Sequence, residues 1–208
     1  MNIGIIGAGH IGGTLAGLFA DVGHQVALAN SRDPETLRDF VAPFEGRVRA
    51  VTAPEAADFG EVIVESIPFG KVGDLPADHL RGKIVIDTAN YYPQRDGEID
   101  LGDLTQSEYV ARHLGGARLV KAFNTISFKH LQDQGDRGRE ADARRAIFVA
   151  GDDRRAKLTV FRLIEDIGFA PVDTGGLREG GRRQQPGSDI YTASLTRVQA
   201  LEKLGGEV

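Results

Sequence analysis

The chain has 208 residues, with 30 acidic against 25 basic side chains for a formal net charge of −5, and the two signs are interspersed along it. That length suits one domain with a sizeable core, and the mild acidic balance supplies no field that would draw nucleic acid or a membrane surface. With no cysteine present, disulfides, a thiol nucleophile and thiolate metal sites are excluded.

In chain order, the run NIGII (2–6) predicts a strand, and Ile11, Leu15, Leu18, Phe19 and Val22 then recur at helical spacing with Gly23 as the stop. HQVALAN (24–30) reads as a second strand, and Asp33-Pro34 caps a helix running to about Val41. A third strand is expected at 47–51, followed by a helix opened by the capping box Thr52-x-x-Glu55 and a fourth strand at 61–67. Residues 83–90 and 117–124 give two more strands, and 146–151 another. A helix carrying Leu158, Phe161, Leu163, Ile164 and Ile167 follows, then a short strand at 169–173. The charged stretches 91–104 and 132–145 read as loops, one of them suited to act as a lid, and the basic, glycine-rich 175–188 reads as a loop before a last helix over about 189–204. Continuous Val/Ile runs indicate strands covered on both faces. The expected fold is therefore α/β, a Rossmann-type doubly wound, mainly parallel sheet with helices on both faces. It forms one domain over 1–208, with a core at about 1–174 and a short C-terminal helical extension at about 175–208.

Gly7, Gly9 and Gly12 stand at the spacing G-x-G-x-x-G between the first strand and the first helix. In that context the first glycine permits the tight turn, the second lets backbone approach a pyrophosphate, and the third allows close packing of helix on strand, with the helix N-terminus supplying free N–H groups. At the end of the second strand, where NAD-selective sites carry a carboxylate for the ribose 2′-OH, this sequence has Asn30, Ser31 and Arg32. A hydroxyl and a guanidinium suit a 2′-phosphate, so NADP(H) is the expected cofactor. The alternative gives Asp33 the NAD role and leaves Ser31 and Arg32 as loop residues. Ligands of such sheets lie beyond the carboxyl ends of the strands. Ile67, Pro68 and Phe69 are thereby candidates to support a nicotinamide face, and Asn90 and Asn124 to bond its carboxamide, a ribose hydroxyl or a substrate carbonyl, turn chemistry being their other reading. His10 lies within the phosphate turn, where the helix dipole favours neutral imidazole, while His24, His79, His113 and His130 are assigned surface or capping roles. No metal site and no acid–base pair is nominated.

Taken together, GIIGAGHIGGTLA, ALANSR, SIPF, KAFNTI and FVAGDD near GFAPVDTG resemble the NADP-dependent oxidoreductases that use coenzyme F-420, an 8-hydroxy-5-deazaflavin. The chain is also similar to the cytosolic reductase domain of six-transmembrane metalloreductases. The resemblance implies that Ala8, Gly9, His10 and Ile11 contact pyrophosphate and ribose, that Ser31 and Arg32 hold the 2′-phosphate, and that Ile67, Pro68 and Phe69 border the nicotinamide. It implies hydride transfer between NADPH and a deazaflavin or another flavin-like small acceptor. The other readings are a non-catalytic NADP(H)-binding redox sensor and a reductase of another small molecule, the latter needing a larger helical domain unless a homodimer supplies it. Met1 leads straight into NIGII and no apolar run approaches ~20 residues, so a cytoplasmic protein without signal peptide or membrane span is expected.

Overall fold

The structure, a computed structural model, describes residues 1–205. Strand β1 (Asn2–Ile6), helix α1 (His10–Asp21) and strand β2 (Gln25–Ala29) make the first β-α-β unit. A 3-10 turn that Asp33 caps by accepting from the Glu35 N–H, then α2 (Arg38–Val41) and a second 3-10 turn, lead to β3 (Val48–Ala50). The Thr52/Glu55 capping box forms as expected and opens α3 (Ala53–Phe59), which returns the chain to β4 (Val62–Glu65). A 3-10 segment (Phe69–Asp74) and α4 (Ala77–Leu80) precede β5 (Ile84–Asp87). The loop expected at 91–104 contains the single turn α5 (Pro93–Asp96), and α6 (Gln106–His113) then leads to β6 (Arg118–Ala122). The second half continues with α7 (Phe128–Asp133), β7 (Ala146–Ala150), α8 (Arg154–Asp166), β8 (Ala170–Gly175), α9 (Glu179–Arg183) and α10 (Arg197–Leu204).

The eight strands form one sheet in the order β3-β2-β1-β4-β5-β6-β7-β8. The strands from β3 across to β6 are all parallel, β7 runs antiparallel to β6, and β8 is parallel to β7. Alternate residues feed opposite layers, as the two-residue strand period requires. Ile3, Ile5, Val64, Ile86 and Val120 pack with Leu15 and Phe19 of α1 and Leu163 of α8 on one face. Ile6, Ile63, Val85 and Leu119 pack with Ala56 of α3 and Val110 of α6 on the other. The chain reverses direction through the sheet between β1 and β4, so the crevice beyond Ile6 and Glu65 is the topological switch point. Among the described residues no helix is long and apolar enough to cross a membrane.

Two expectations for the C-terminal part change. The stretch 175–188 is not all loop: α9 lies within it, because Gly180 and Gly181 let a helix sit against neighbours that any Cβ would strike. A Cβ at Gly180 would stand 2.7 Å from the Thr174 backbone, and one at Gly181 would stand 2.8 Å from Ser107 Oγ. The last helix starts at Arg197 and not near 189, since Thr196 accepts from the Gln199 N–H and Gln199 reaches back to the Thr196 N–H, a capping box that fixes its first turn.

Candidate functional site

The turn joining β1 to α1 is built by contact distances. Gly7 has φ +115°, and a Cβ there would lie 2.2 Å from the Ser66 carbonyl oxygen. A Cβ at Gly12 would lie 1.9 Å from the Gly7 carbonyl oxygen. Gly9 is the opposite case, with an ordinary extended backbone (φ −76°, ψ −167°) and nothing within 4 Å of a built Cβ. Gly7 and Gly12 are thus required by the protein's own packing, whereas the space at Gly9 is left for something else. Gly9 is also the N-cap of α1 and no side chain caps that helix, so its first N–H groups face the crevice with the positive end of the helix dipole behind them.

The crevice has a volume of about 710 Å³ and runs from Asn30, Ser31 and Arg32 across Gly7, Ala8 and Gly9 to Ile67 and Pro68. Asn30 builds the far rim more than it lines it: Oδ1 accepts from the Arg32 N–H at 2.8 Å and Nδ2 donates to Thr36 Oγ1 at 2.9 Å. The rim therefore presents Ser31 and Arg32 outward, and Asp33 is occupied as the cap of the next turn. Lys71, from the 3-10 segment after β4, lines the same mouth. The sequence reading missed it, because only the fold brings the end of β4 beside the end of β2. Ile11 is half-buried against the core, and Phe69 is turned into the interior at 1 % exposure, its ring 5.2 Å from Tyr91 and 5.4 Å from Tyr109. Phe69 thus braces the segment behind Ile67 and Pro68 and does not line the crevice.

His10 is exposed and stacks on Phe128 of α7, ring centroids 4.2 Å apart at 14°. With Gly9 and Thr14 it borders a shallower hollow beside the glycine turn. His24 departs from the surface role expected of it, being only 9 % exposed, with Nε2 3.3 Å from Asp166. Burial and then the N-terminal ammonium pull its imidazole below the ordinary histidine range.

Asn90 and Asn124 meet each other. Asn90 Nδ2 donates to the Asn124 carbonyl at 2.8 Å, and Asn124 Nδ2 donates to Asn90 Oδ1 at 3.0 Å and to the Gln184 carbonyl at 2.8 Å. They tie the carboxyl ends of β5 and β6 to the segment after α9. Beside them the Tyr92 and Tyr191 hydroxyls are hydrogen-bonded to one another. Burial, then that bond, pushes the Tyr191 phenol far above the usual tyrosine range. Arg95 donates to the Asn90 carbonyl at 2.6 Å and pairs with the buried Asp96 carboxylate at 2.8 Å. This phenol-lined wall was not read from the sequence.

Beneath the same edge, Glu65, Asp87 and Lys121 occupy adjacent register positions on β4, β5 and β6, each at most 1 % exposed. Lys121 Nζ donates to Asp87 Oδ2 at 3.0 Å and to the Ala89 carbonyl. Burial, then the charge of Asp87, pushes the Glu65 carboxyl well above the usual range.

A doubly wound sheet whose switch point carries an uncapped helix N-terminus behind a glycine turn defines a dinucleotide-binding α/β protein. Residues 2–91 match the family described as NADP oxidoreductase, coenzyme F420-dependent. The chain is 33 % identical to a hypothetical protein of Sinorhizobium meliloti whose crystal structure superposes with a TM-score of 0.83, covering 94 % of this chain and 95 % of that one. A structure from Arthrobacter sp. FB24, assigned as an F420-dependent NADP reductase, is 28 % identical with a TM-score of 0.69, over 85 % of this chain and 86 % of that one. The rat metalloreductase STEAP3 is 31 % identical over 179 residues, which is 85 % of this chain and 34 % of that protein. The chain thus spans about a third of the length of this curated relative. Its residues 2–91 thus resemble the NADP oxidoreductase, coenzyme F420-dependent, family.

Proposed function

We propose that the chain is an NADP(H)-dependent oxidoreductase that passes a hydride between the nicotinamide and a deazaflavin or another flavin-like small acceptor. The observation that carries this reading is the crevice itself, which combines open space at Gly9, an uncapped α1, and the cations Arg32, after β2, and Lys71, after β4. When bound, NADPH supplies the hydride from its ring. The residues of this chain do the rest by binding and orienting. The α1 N–H groups and the backbone of Ala8 and Gly9 take the pyrophosphate, while Ser31, Arg32 and Lys71 take the 2′-phosphate. That polarity sends the nicotinamide half past β1 toward Ile67 and Pro68, whose apolar faces exclude water from one side of the ring. The wall made by Tyr92 and Tyr191, held by Asn90, Asn124 and Arg95, then borders the acceptor.

The test is a titration of NADPH and NADH into wild type and Arg32→Ala, followed by an acceptor series of coenzyme F-420, FMN, riboflavin and a ferric chelate with NADPH absorbance as readout. NADPH should bind more tightly than NADH, and Arg32→Ala should reduce the preference by roughly 1.5–3 kcal/mol, the usual range for one charge-assisted hydrogen bond. Equal affinities in wild type would remove the 2′-phosphate assignment, and tight NADPH binding with no turnover on any acceptor would favour a sensor over an enzyme.

A further inference from the structure

Away from the crevice, a cavity of about 440 Å³ opens between the segment following α7 and the segment preceding α10. Its wall includes Arg145, the residue just before β7, which is 8 % exposed. Nη1 of Arg145 donates to Gln134 Oε1 at 3.3 Å and to Ser194 Oγ, both neutral acceptors. Its Nε is buried without a hydrogen-bond partner. Among the described residues no carboxylate comes within 4 Å of this guanidinium: Asp136 is taken by Arg139 at 3.6 Å and by the Gly138 N–H, and Asp133 stands apart on the rim. Arg144, on the same wall, donates among the described residues to the Arg139 and Arg137 carbonyls, at 2.8 and 3.0 Å. A guanidinium is costly to bury without an anion, and the described residues supply none here. With Nη1 spent on the protein and Nε sealed from solvent, Nη2 is the donor of this guanidinium left for an anion in the cavity, and an N–H···O⁻ bond from it is of the strong, charge-assisted kind.

We propose that this cavity is a binding site for an oxyanion, a phosphate or carboxylate group, received by Arg145 with Arg144 at its mouth and Ser194 at its side. The topology places it on the same edge as the cofactor crevice. Val149 pairs with Ala122 at the end of β6, and the chain from there back to Arg145 extends four residues, about 13 Å, beyond that edge. Ser194 follows Tyr191 by three residues, so the cavity lies within about 11 Å of the phenol wall along the chain. The anion can therefore be free in solution or carried by the acceptor, and the second source rests on the proposed function.

Two measurements separate these cases. Inorganic phosphate is titrated at constant ionic strength, without NADPH, against thermal unfolding of wild type, Arg145→Gln and Arg144→Gln. Wild type should show a saturable rise in midpoint, Arg144→Gln should need severalfold more phosphate, and Arg145→Gln should lose the response. Should Arg145→Gln not fold, the wild-type curve and its shift in Arg144→Gln still decide. KM values for FMN and riboflavin, which differ in one phosphate, are then compared with NADPH saturating. At least a tenfold lower KM for FMN, erased by Arg144→Gln or Arg145→Gln, assigns the anion to the acceptor, and equal KM values beside an intact phosphate response assign it to a free anion. A wild-type midpoint indifferent to phosphate, with no FMN preference sensitive to either arginine, overturns the proposal. Because the phosphate arm needs no turnover, it stands or fails apart from the oxidoreductase reading.

Discussion

Gly9→Val and Gly12→Ala divide the two demands placed on the β1–α1 turn. At Gly9 the backbone is one any residue adopts and a Cβ meets nothing within 4 Å, so valine costs the fold only a poorer N-cap, about 1 kcal/mol. For a chain of this size that is a fall of about 2–4 °C in Tm. The branched side chain fills the space assigned to the pyrophosphate. Losing even one charge-assisted N–H bond there, about 1.5–3 kcal/mol, raises the NADPH Kd roughly tenfold to 150-fold. At Gly12 the methyl group of alanine would sit 1.9 Å from the Gly7 carbonyl oxygen, and the backbone must shift, at about 1–3 kcal/mol or more for overpacking. Circular dichroism melts and NADPH fluorescence titrations on both variants read the two effects independently. A Gly9→Val protein with a near-native melt and an unchanged NADPH Kd would refute the assignment of that space to the dinucleotide. An unperturbed Gly12→Ala melt would refute the packing argument.

The buried charges under the strand ends make two further predictions. Since burial raises the Glu65 carboxyl above the value of about 4.3 that it has in the unfolded chain, the stability linked to its proton is complete below that pH. It is lost as pH rises toward the folded pKa, at up to about 1.4 kcal/mol per pH unit. Urea denaturation across pH 4–9 should therefore show a shallower decline for Glu65→Gln than for wild type, and parallel profiles would mean that Glu65 is ionised in the fold. Lys121→Met leaves Asp87 buried without its cation and should cost about 3–5 kcal/mol at neutral pH; a loss under 1 kcal/mol in the same assay would show that water or rearrangement compensates Asp87.

Features set by neighbouring residues were readable in the sequence: the β1–α1 turn, the Thr52/Glu55 box and the apolar strand runs each depend on a few adjacent positions. Direction in the sheet does not. AIFVA is equally apolar whichever way it runs, and the reversal of β7 against β6 follows from the chain passing through α7 and the 134–145 segment without a full crossover. Glycines misled at 175–188, where they serve helix packing against Thr174 and Ser107 and not chain flexibility. Lys71 and the Tyr92–Tyr191 pair, 99 residues apart in the chain, become site features only through tertiary placement. Asn90 and Asn124 stand just past the ends of β5 and β6, as their place in the sequence suggests, but their partnership with each other was beyond any local pattern.

Because β7 runs against β6, the segment entering β7 and the one leaving α9 both emerge on the edge of the sheet where β1, β4 and β6 end, without threading through the half of the sheet under the crevice. Lengthening, shortening or exchanging either segment reshapes the Tyr92–Tyr191 side of that edge and leaves β1 to β4 undisturbed. The architecture behaves as a fixed grip with interchangeable jaws: its clientele can diversify by insertion and loop exchange at little cost to cofactor affinity, and those two segments are where grafts intended to redirect the enzyme belong.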